Sequence, residues 1–97
     1  MWTGSIEFDL LLGDVHSLKQ KRSVVRPIVA EVARNFAASV AEVNHLSKHR
    51  RAGIGAAVVA ADRAHVTDVL DAVELLIATR PEVELLSAHR SLRHSDD

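Results

Sequence analysis

Residues 17–36 carry apolar side chains at the spacing of an amphipathic helix, and this pattern constrains the fold more than any other in the chain. Ser17 and Gln20 match the capping box, in which two side chains bind free backbone N–H groups of the first turn. Pro27 lies inside the pattern and removes one backbone hydrogen bond, so we expect a bend or a split near the middle of the helix. The positions that form the apolar stripe are Leu18, Val25, Ile28, Val29, Val32 and Phe36.

A second helix is predicted to begin after Asp62, its N-cap, and to end near Arg80, because Pro81 prevents continuation. The order of the patterns along the chain is strand, helix, strand, strand, helix, strand. This order predicts an α+β fold of the ferredoxin-like class, a two-layer βαββαβ sandwich whose antiparallel sheet has the order 4-1-3-2 and one open face. Alternating apolar residues place the four strands at residues 2–12, 38–43, 52–61 and 83–90.

The chain has 97 residues, which suffice for one small domain and not for two. We expect residues 1–92 to form this domain and residues 93–97 to be a frayed tail. The absence of cysteine excludes disulfides, thiol catalysis and cysteine-ligated metals, and no cofactor is expected. No apolar run reaches membrane-spanning length and the first residues lack the basic leader of a signal peptide, so we expect a cytoplasmic location and no membrane partner.

Positive charge is concentrated in the first turns of the predicted helix, on Lys19, Lys21, Arg22 and Arg26. A helix N-terminus already carries about half a positive charge and is stabilised by acidic residues, yet residues 17–30 contain none. Free N–H groups together with cations are suited to binding phosphate. Solvated surface charges, tolerated at small cost, are an equally good interpretation.

The predicted topology brings the loop at residues 44–51 and the end of the second helix, with Arg80, to the same end of the molecule as the first turns of the first helix. Because the net charge is −1, nucleic-acid binding must rest on such a local cluster and not on the whole surface. We therefore expect a non-catalytic domain whose basic end binds phosphate groups, of RNA or of a ribosomal particle. The expected phosphate-binding residues are Ser17, Lys19, Lys21, Arg22, Lys48, Arg50 and Arg51.

Other chemistry has weaker support. His45 and His49 are four residues apart but lie in a predicted loop without a third ligand, so no metal site is expected. Glu7 and Asp9 share one face of the first strand and could serve as an acid–base pair, although solubility of the exposed face is the simpler interpretation. No nucleophile–base set is visible, so we expect no enzymatic activity. The orientation of Glu42 stays open.

The open face of the predicted sheet lacks the aromatic side chains on which RNA-recognition motifs stack bases. It carries apolar residues instead, and exposed apolar patches often mark interfaces. The alternative function is therefore a homodimeric interaction module that binds no nucleic acid. Its expected interface residues are Leu11, Val43, Val59 and Leu86.

Three segments, HSLKQKRSVVRPIVAEVARNF, AASVAEV and AGIGAAVVAAD, resemble the YlxP-like family of small bacterial proteins over residues 4–90. The most specific parts are the SLK-x-KR segment and the SVAEV strand. The resemblance implies a ferredoxin-like fold and no assigned activity. Genes of that family often lie close to those for transcription, translation initiation and ribosome maturation, which implies a link to the ribosome or RNA. The matching positions are Ser17, Leu18, Lys19, Lys21, Arg22, Ser39, Val40, Glu42 and Val43.

Overall fold

The structure, a computed structural model, describes residues 1–97 and contains four strands and two helices. Neither helix combines the length with the hydrophobicity that a membrane-spanning helix requires. The elements in chain order are β1 (Trp2–Leu12), α1 (Leu18–Asn35), β2 (Ser39–Asn44), β3 (Arg51–Ala60), α2 (Arg63–Ala78) and β4 (Val83–His94).

The four strands form one antiparallel sheet in the order β2-β3-β1-β4, which is the predicted order 4-1-3-2 read from the other edge. The ferredoxin-like α+β fold is thereby confirmed. β1 lies at the centre because its alternation buries Ile6, Phe8 and Leu10 completely or nearly so, and each such side chain stabilises the fold by roughly 1.5–3 kcal/mol on leaving water. Both helices pack on that face, and the opposite face of the sheet is open.

The helix caps follow the predicted chemistry. Ser17 Oγ accepts the amide N–H of Gln20 at 3.1 Å, and Gln20 Oε1 in turn accepts the amide N–H of His16 at 2.6 Å. Asp62 Oδ1 accepts the amide N–H of Ala64 at 3.0 Å at the start of α2. α1 continues through Pro27 as one helix, so the helix is not split there.

β4 is longer than predicted. It runs to His94 instead of ending at residue 90, because Arg93 pairs with Thr3 and His94 pairs with Trp2 of β1. The amide N–H of Ser95 also donates to the carbonyl of Met1 at 2.9 Å. The expectation that residues 93–97 form a frayed tail is therefore wrong for the first of these residues, since the long central strand provides pairing partners along its whole length.

Candidate anion-binding surface

Lys21, one of the predicted phosphate-binding residues, is buried and only 2% exposed. Its Nζ donates to the carbonyl oxygen of His45 at 2.7 Å and lies 2.8 Å from Glu42 Oε2. The prediction that Lys21 meets phosphate is wrong, because both of its contacts are internal. Glu42, whose orientation the sequence left open, faces the helices and supplies the neutralising charge.

The helical period explains the burial of Lys21. The residue stands four positions before Val25 and seven before Ile28, and both of these are buried in the core. It therefore lies on the buried stripe of α1, while Lys19 and Arg22 lie beside it on the outer surface. The helical spacing therefore indicated that Lys21 is buried, whereas its charge indicated that it is exposed.

Arg51 is also engaged within the chain. Its Nε donates to Asp9 Oδ1 at 3.1 Å, and its second guanidinium nitrogen binds Asp9 Oδ2. These hydrogen bonds lower the pKa of Asp9; desolvation raises it, and the charges of Arg51 and His45 lower it further. The prediction that Arg51 is a free phosphate ligand is wrong, because Asp9 on the adjacent strand already neutralises it.

The predicted convergence of cations at one end of the molecule is only partly correct. Arg80 forms ion pairs with Glu31 at 2.6 Å and Glu82 at 3.2 Å and contributes no free charge. Arg50 Nε donates to the carbonyls of Gly13 at 2.9 Å and Leu12 at 3.3 Å, which ties the β2–β3 loop to the turn before α1.

Arg50 meets only uncharged groups in these contacts and keeps its charge without an acidic partner. Lys48, in the same β2–β3 loop, is exposed and forms no ion pair. Ser17 acts as the helix cap, as described above. Of the seven predicted residues, Lys19, Arg22, Lys48 and Arg50 therefore remain as cations that no acidic side chain neutralises.

The outer surface of α1 carries the densest group of unpaired cations. Lys19, Arg22 and Arg26 are exposed, form no ion pair, and together with Ser23 and Pro27 line a shallow concavity of about 400 Å³. The first turn of α1 contains no acidic residue. We call Lys19, Arg22 and Arg26 the α1 basic row.

The open sheet face has a polar centre, of which the sequence pattern predicted the two acidic residues, Glu7 and Asp9, but not the residues that join them. His45 Nε2 lies 3.3 Å from Asp9 Oδ1, and Glu7 and His89 stand directly opposite each other on β1 and β4. With Asn44 and Ser87 these groups line a concavity of about 230 Å³. These acidic and histidine side chains are not grouped so that three of them could hold one metal ion, and no other part of the chain has such a group.

The end of β2 is bent over two glycines of β3. A β-carbon at Gly53 would lie 2.6 Å from Asn44 Cβ, and one at Gly55 would lie 3.2 Å from Val43 Cγ1. The register shifts at the same place, and the next residue, His45, has a left-handed backbone with φ of 57°. Its carbonyl is the one that Lys21 holds, so Lys21 fixes the turn that brings His45 to Asp9.

The predicted dimer residues do not form one patch. Val43, Val59 and Leu86 are 47%, 62% and 45% exposed, and Leu11 is half-buried. In the sheet register Leu11 faces Arg51 and Val59 faces Thr3, so the two lie at opposite ends of β1, roughly 27 Å apart. The polar centre around Asp9 separates Leu11 from both Val43 and Val59.

A family model described as "Protein of unknown function (DUF503)" matches residues 3–90. The chain belongs to this family. Among curated proteins, the uncharacterized protein YlxP of Bacillus subtilis (strain 168) is 31% identical over 81 residues, which cover 84% of this chain and 88% of the relative. Both findings confirm the resemblance that rests on the SLK-x-KR segment and the SVAEV strand.

In this member of the family, the SLK-x-KR segment has two physical roles. Its second lysine, Lys21, is buried against Glu42 of the SVAEV strand, so the two most specific segments contact each other. Its other cations, Lys19 and Arg22, are exposed and begin the α1 basic row. Only the second role leaves charge available for a ligand.

Proposed function

We propose that the chain is a non-catalytic cytoplasmic domain that binds the phosphate groups of structured RNA, free or within a ribosomal particle, through the α1 basic row. The observation that carries the proposal is the contrast between two groups of cations. Lys21, Arg51 and Arg80 are neutralised by acidic side chains, whereas Lys19, Arg22 and Arg26 share one surface with no acidic partner. Unpaired cations on one face attract a polyanion even when the net charge of the protein is near zero.

The spacing of the row suits a phosphate backbone. Lys19, Arg22 and Arg26 are three and four residues apart, so they follow one another on one side of the helix over roughly 10 Å. Arginine is well suited to bidentate contacts with phosphate oxygens, and lysine acts as a point charge. Lys48 and Arg50 of the β2–β3 loop would extend the contact beyond the helix.

Base stacking is not part of the proposal. Phe8 is buried in the core, and Trp2 and Phe36 are partly buried against it, so no aromatic platform stands beside the α1 basic row. Recognition through phosphates alone reads the shape of a folded or double-helical RNA and not its sequence. We therefore expect weak dependence on sequence and strong dependence on salt.

The test compares two double variants that change the net charge equally. Lys19→Gln with Arg22→Gln removes two cations of the row. Arg34→Gln with Arg63→Gln removes two exposed cations outside the row that form no ion pair, one in the last turn of α1 and one in the first turn of α2. Fluorescence titration with an RNA hairpin is repeated over a series of salt concentrations. The first variant should flatten the slope of log K against log salt by about 1.5–2, as expected for two lost phosphate contacts, and the second should leave it nearly unchanged.

Two results would reject the proposal: an affinity of the wild-type chain that does not depend on salt, or equal losses in the two variants. The second result would mean that net charge, and not the α1 basic row, governs binding.

The alternative is a homodimer formed through the open sheet face, without RNA binding. It is favoured by the exposure of Val43, which lies against Gly55 of β3, and of Val59 further along the same strand. Val43→Asp with Val59→Asp should then convert a dimer into a monomer in sedimentation experiments. A wild-type chain that is monomeric at all accessible concentrations would exclude this alternative.

A further inference from the structure

β4 has an outer edge that no other element covers. The strand is 12 residues long, lies at the end of the sheet, and pairs only with β1. Residues 86–91, in its middle, are all exposed. The other edge strand, β2, is half as long with 6 residues and bends at Asn44. A long unpaired edge presents a row of free N–H and C=O groups to which another strand can add.

The register with β1 assigns each residue of β4 to a face. Leu85 faces Leu10 and Leu92 faces Gly4, so both belong to the side covered by the helices. Glu84, His89 and Arg93 face Leu11, Glu7 and Thr3 and belong to the open side. The register shifts between Asp9, which faces Ser87, and Leu10, which faces Leu85, so Leu86 is the extra residue of a bulge.

We propose that the outer edge of β4 pairs antiparallel with β4 of a second copy of this chain, about a two-fold axis at His89. His89 then faces His89 of the second copy, and Ser87 faces its Ser91. Leu86, the bulge residue, has no partner in the other copy. Beyond it, Leu85 of one copy therefore faces Leu92 of the other, and Glu84 of one copy faces Arg93 of the other. The result is one continuous eight-stranded sheet.

Charge complementarity selects this register. Glu84 and Arg93 are exposed and form no ion pair within their own chain. They are nine residues apart on one strand, roughly 30 Å, so they can meet only between two copies. The two-fold axis creates this pair twice. A shift of the register by two residues would place Glu84 opposite a serine, Ser91 or Ser95, and would lose both pairs.

The basic side chain nearest the middle of the edge does not oppose the pairing. Arg90 is held by α2, with its two terminal nitrogens 2.8 Å from Asp71 and 3.1 Å from Glu74. Its charge is thereby neutralised within the chain. α1 packs against β2 at the opposite edge of the sheet, so the edge dimer would leave the α1 basic row free. The edge dimer and RNA binding are thus separate properties with separate tests.

Charge reversal tests the proposed pairs. Glu84→Arg alone and Arg93→Glu alone should each weaken self-association about tenfold or more in sedimentation equilibrium, because two attractive cross-strand pairs become repulsive. The double variant should recover nearly wild-type association. Asp68→Arg on α2, at an exposed residue without an ion pair, matches the charge change of Glu84→Arg and should have no effect. A monomeric wild type, or a double variant no better than the single ones, would overturn the proposal.

Cysteine cross-linking tests the axis directly, because the chain has no cysteine of its own. His89→Cys should form a disulfide-linked dimer under mild oxidation, since directly opposed residues lie within about 4.5–5.5 Å and a disulfide spans about 4.4–6.8 Å between Cα atoms. Ser91→Cys on the same strand should not, because the two copies of that residue would be roughly 13 Å apart. Equal yields from the two variants would contradict the proposed axis, as would the absence of any cross-link.

Discussion

Replacing Lys21 by methionine would measure how much the buried ion pair contributes to stability. Methionine is unbranched and flexible and fills a similar space, so the change removes mainly the charge and the hydrogen bonds. Two groups lose their partner: the carboxylate of Glu42, whose side chain is 25% exposed, and the carbonyl oxygen of His45. Removing one member of a buried ion pair costs about 3–5 kcal/mol. Because Glu42 keeps some access to water, we expect a loss of about 2–3 kcal/mol.

Urea unfolding followed by circular dichroism is the appropriate assay for a single domain of this size. The same loss should lower the melting temperature by roughly 10–20 °C. Lys19→Met is the matched control: it makes the same chemical change two residues away on the exposed surface, where we expect an effect within about 0.5 kcal/mol.

A double variant separates the ion pair from simple loss of packing. Adding Glu42→Gln to Lys21→Met removes the charge that was left without a partner, so the double variant should be more stable than Lys21→Met alone by about 1 kcal/mol or more. If Lys21→Met proved as harmless as Lys19→Met, Lys21 would not be buried against Glu42. Its assignment to the interior would then be wrong, and Lys21 would again be a candidate for binding phosphate.

Two further predictions concern the sheet. Asp9→Asn should destabilise the fold by about 1 kcal/mol at pH 7, because the pair with Arg51 is partly exposed. Since the pKa of Asp9 is lower in the folded state than the ordinary value of an aspartate, its contribution is fully present above that ordinary value and is lost as the pH falls through the folded-state pKa. Urea unfolding of both proteins at a series of pH values should therefore show the difference shrinking in acid, and a constant difference would contradict the assignment. Gly53→Ala should cost about 1–3 kcal/mol in the same assay, because its methyl group would lie 2.6 Å from Asn44 Cβ. Gly13→Ala, which meets nothing within 4 Å, should cost far less, and equal losses would exclude the close approach.

The fold could be predicted because it depends on patterns that lie within single segments. The alternation of β1 and the stripe of α2 each specify an element and its buried face, and the order of the elements leaves few topologies. The apolar stripe of α1 is equally visible, but apolar side chains alone do not show that a charged residue shares it. Lys21 occupies the same period, so the helical spacing predicted its burial better than its charge did.

The ion pairs could not be predicted because they depend on register. Arg51 meets Asp9 diagonally across neighbouring strands, since Asp9 faces Gly53 in the ladder. A shift of one residue would place the two side chains on opposite faces of the sheet. The bulge at Leu86 likewise decides which residues of β4 share a face, and no pattern in the sequence of this strand predicts the bulge.

Within residues 19–22, Lys21 is assigned to the stability of the fold, and Lys19 and Arg22 are assigned to RNA binding. Substitutions of the two kinds should therefore give opposite results in urea unfolding and in RNA titration. Lys21→Met should lower the stability of the fold, yet it should keep the salt dependence of RNA binding when measured well below its melting temperature. Lys19→Gln with Arg22→Gln should do the reverse, because these side chains touch no acidic partner whose charge they would leave unpaired. If Lys21→Met flattened the salt dependence while the protein remained folded, Lys21 would contact the RNA. The separation of the segment into a buried lysine and an exposed basic row would then be wrong.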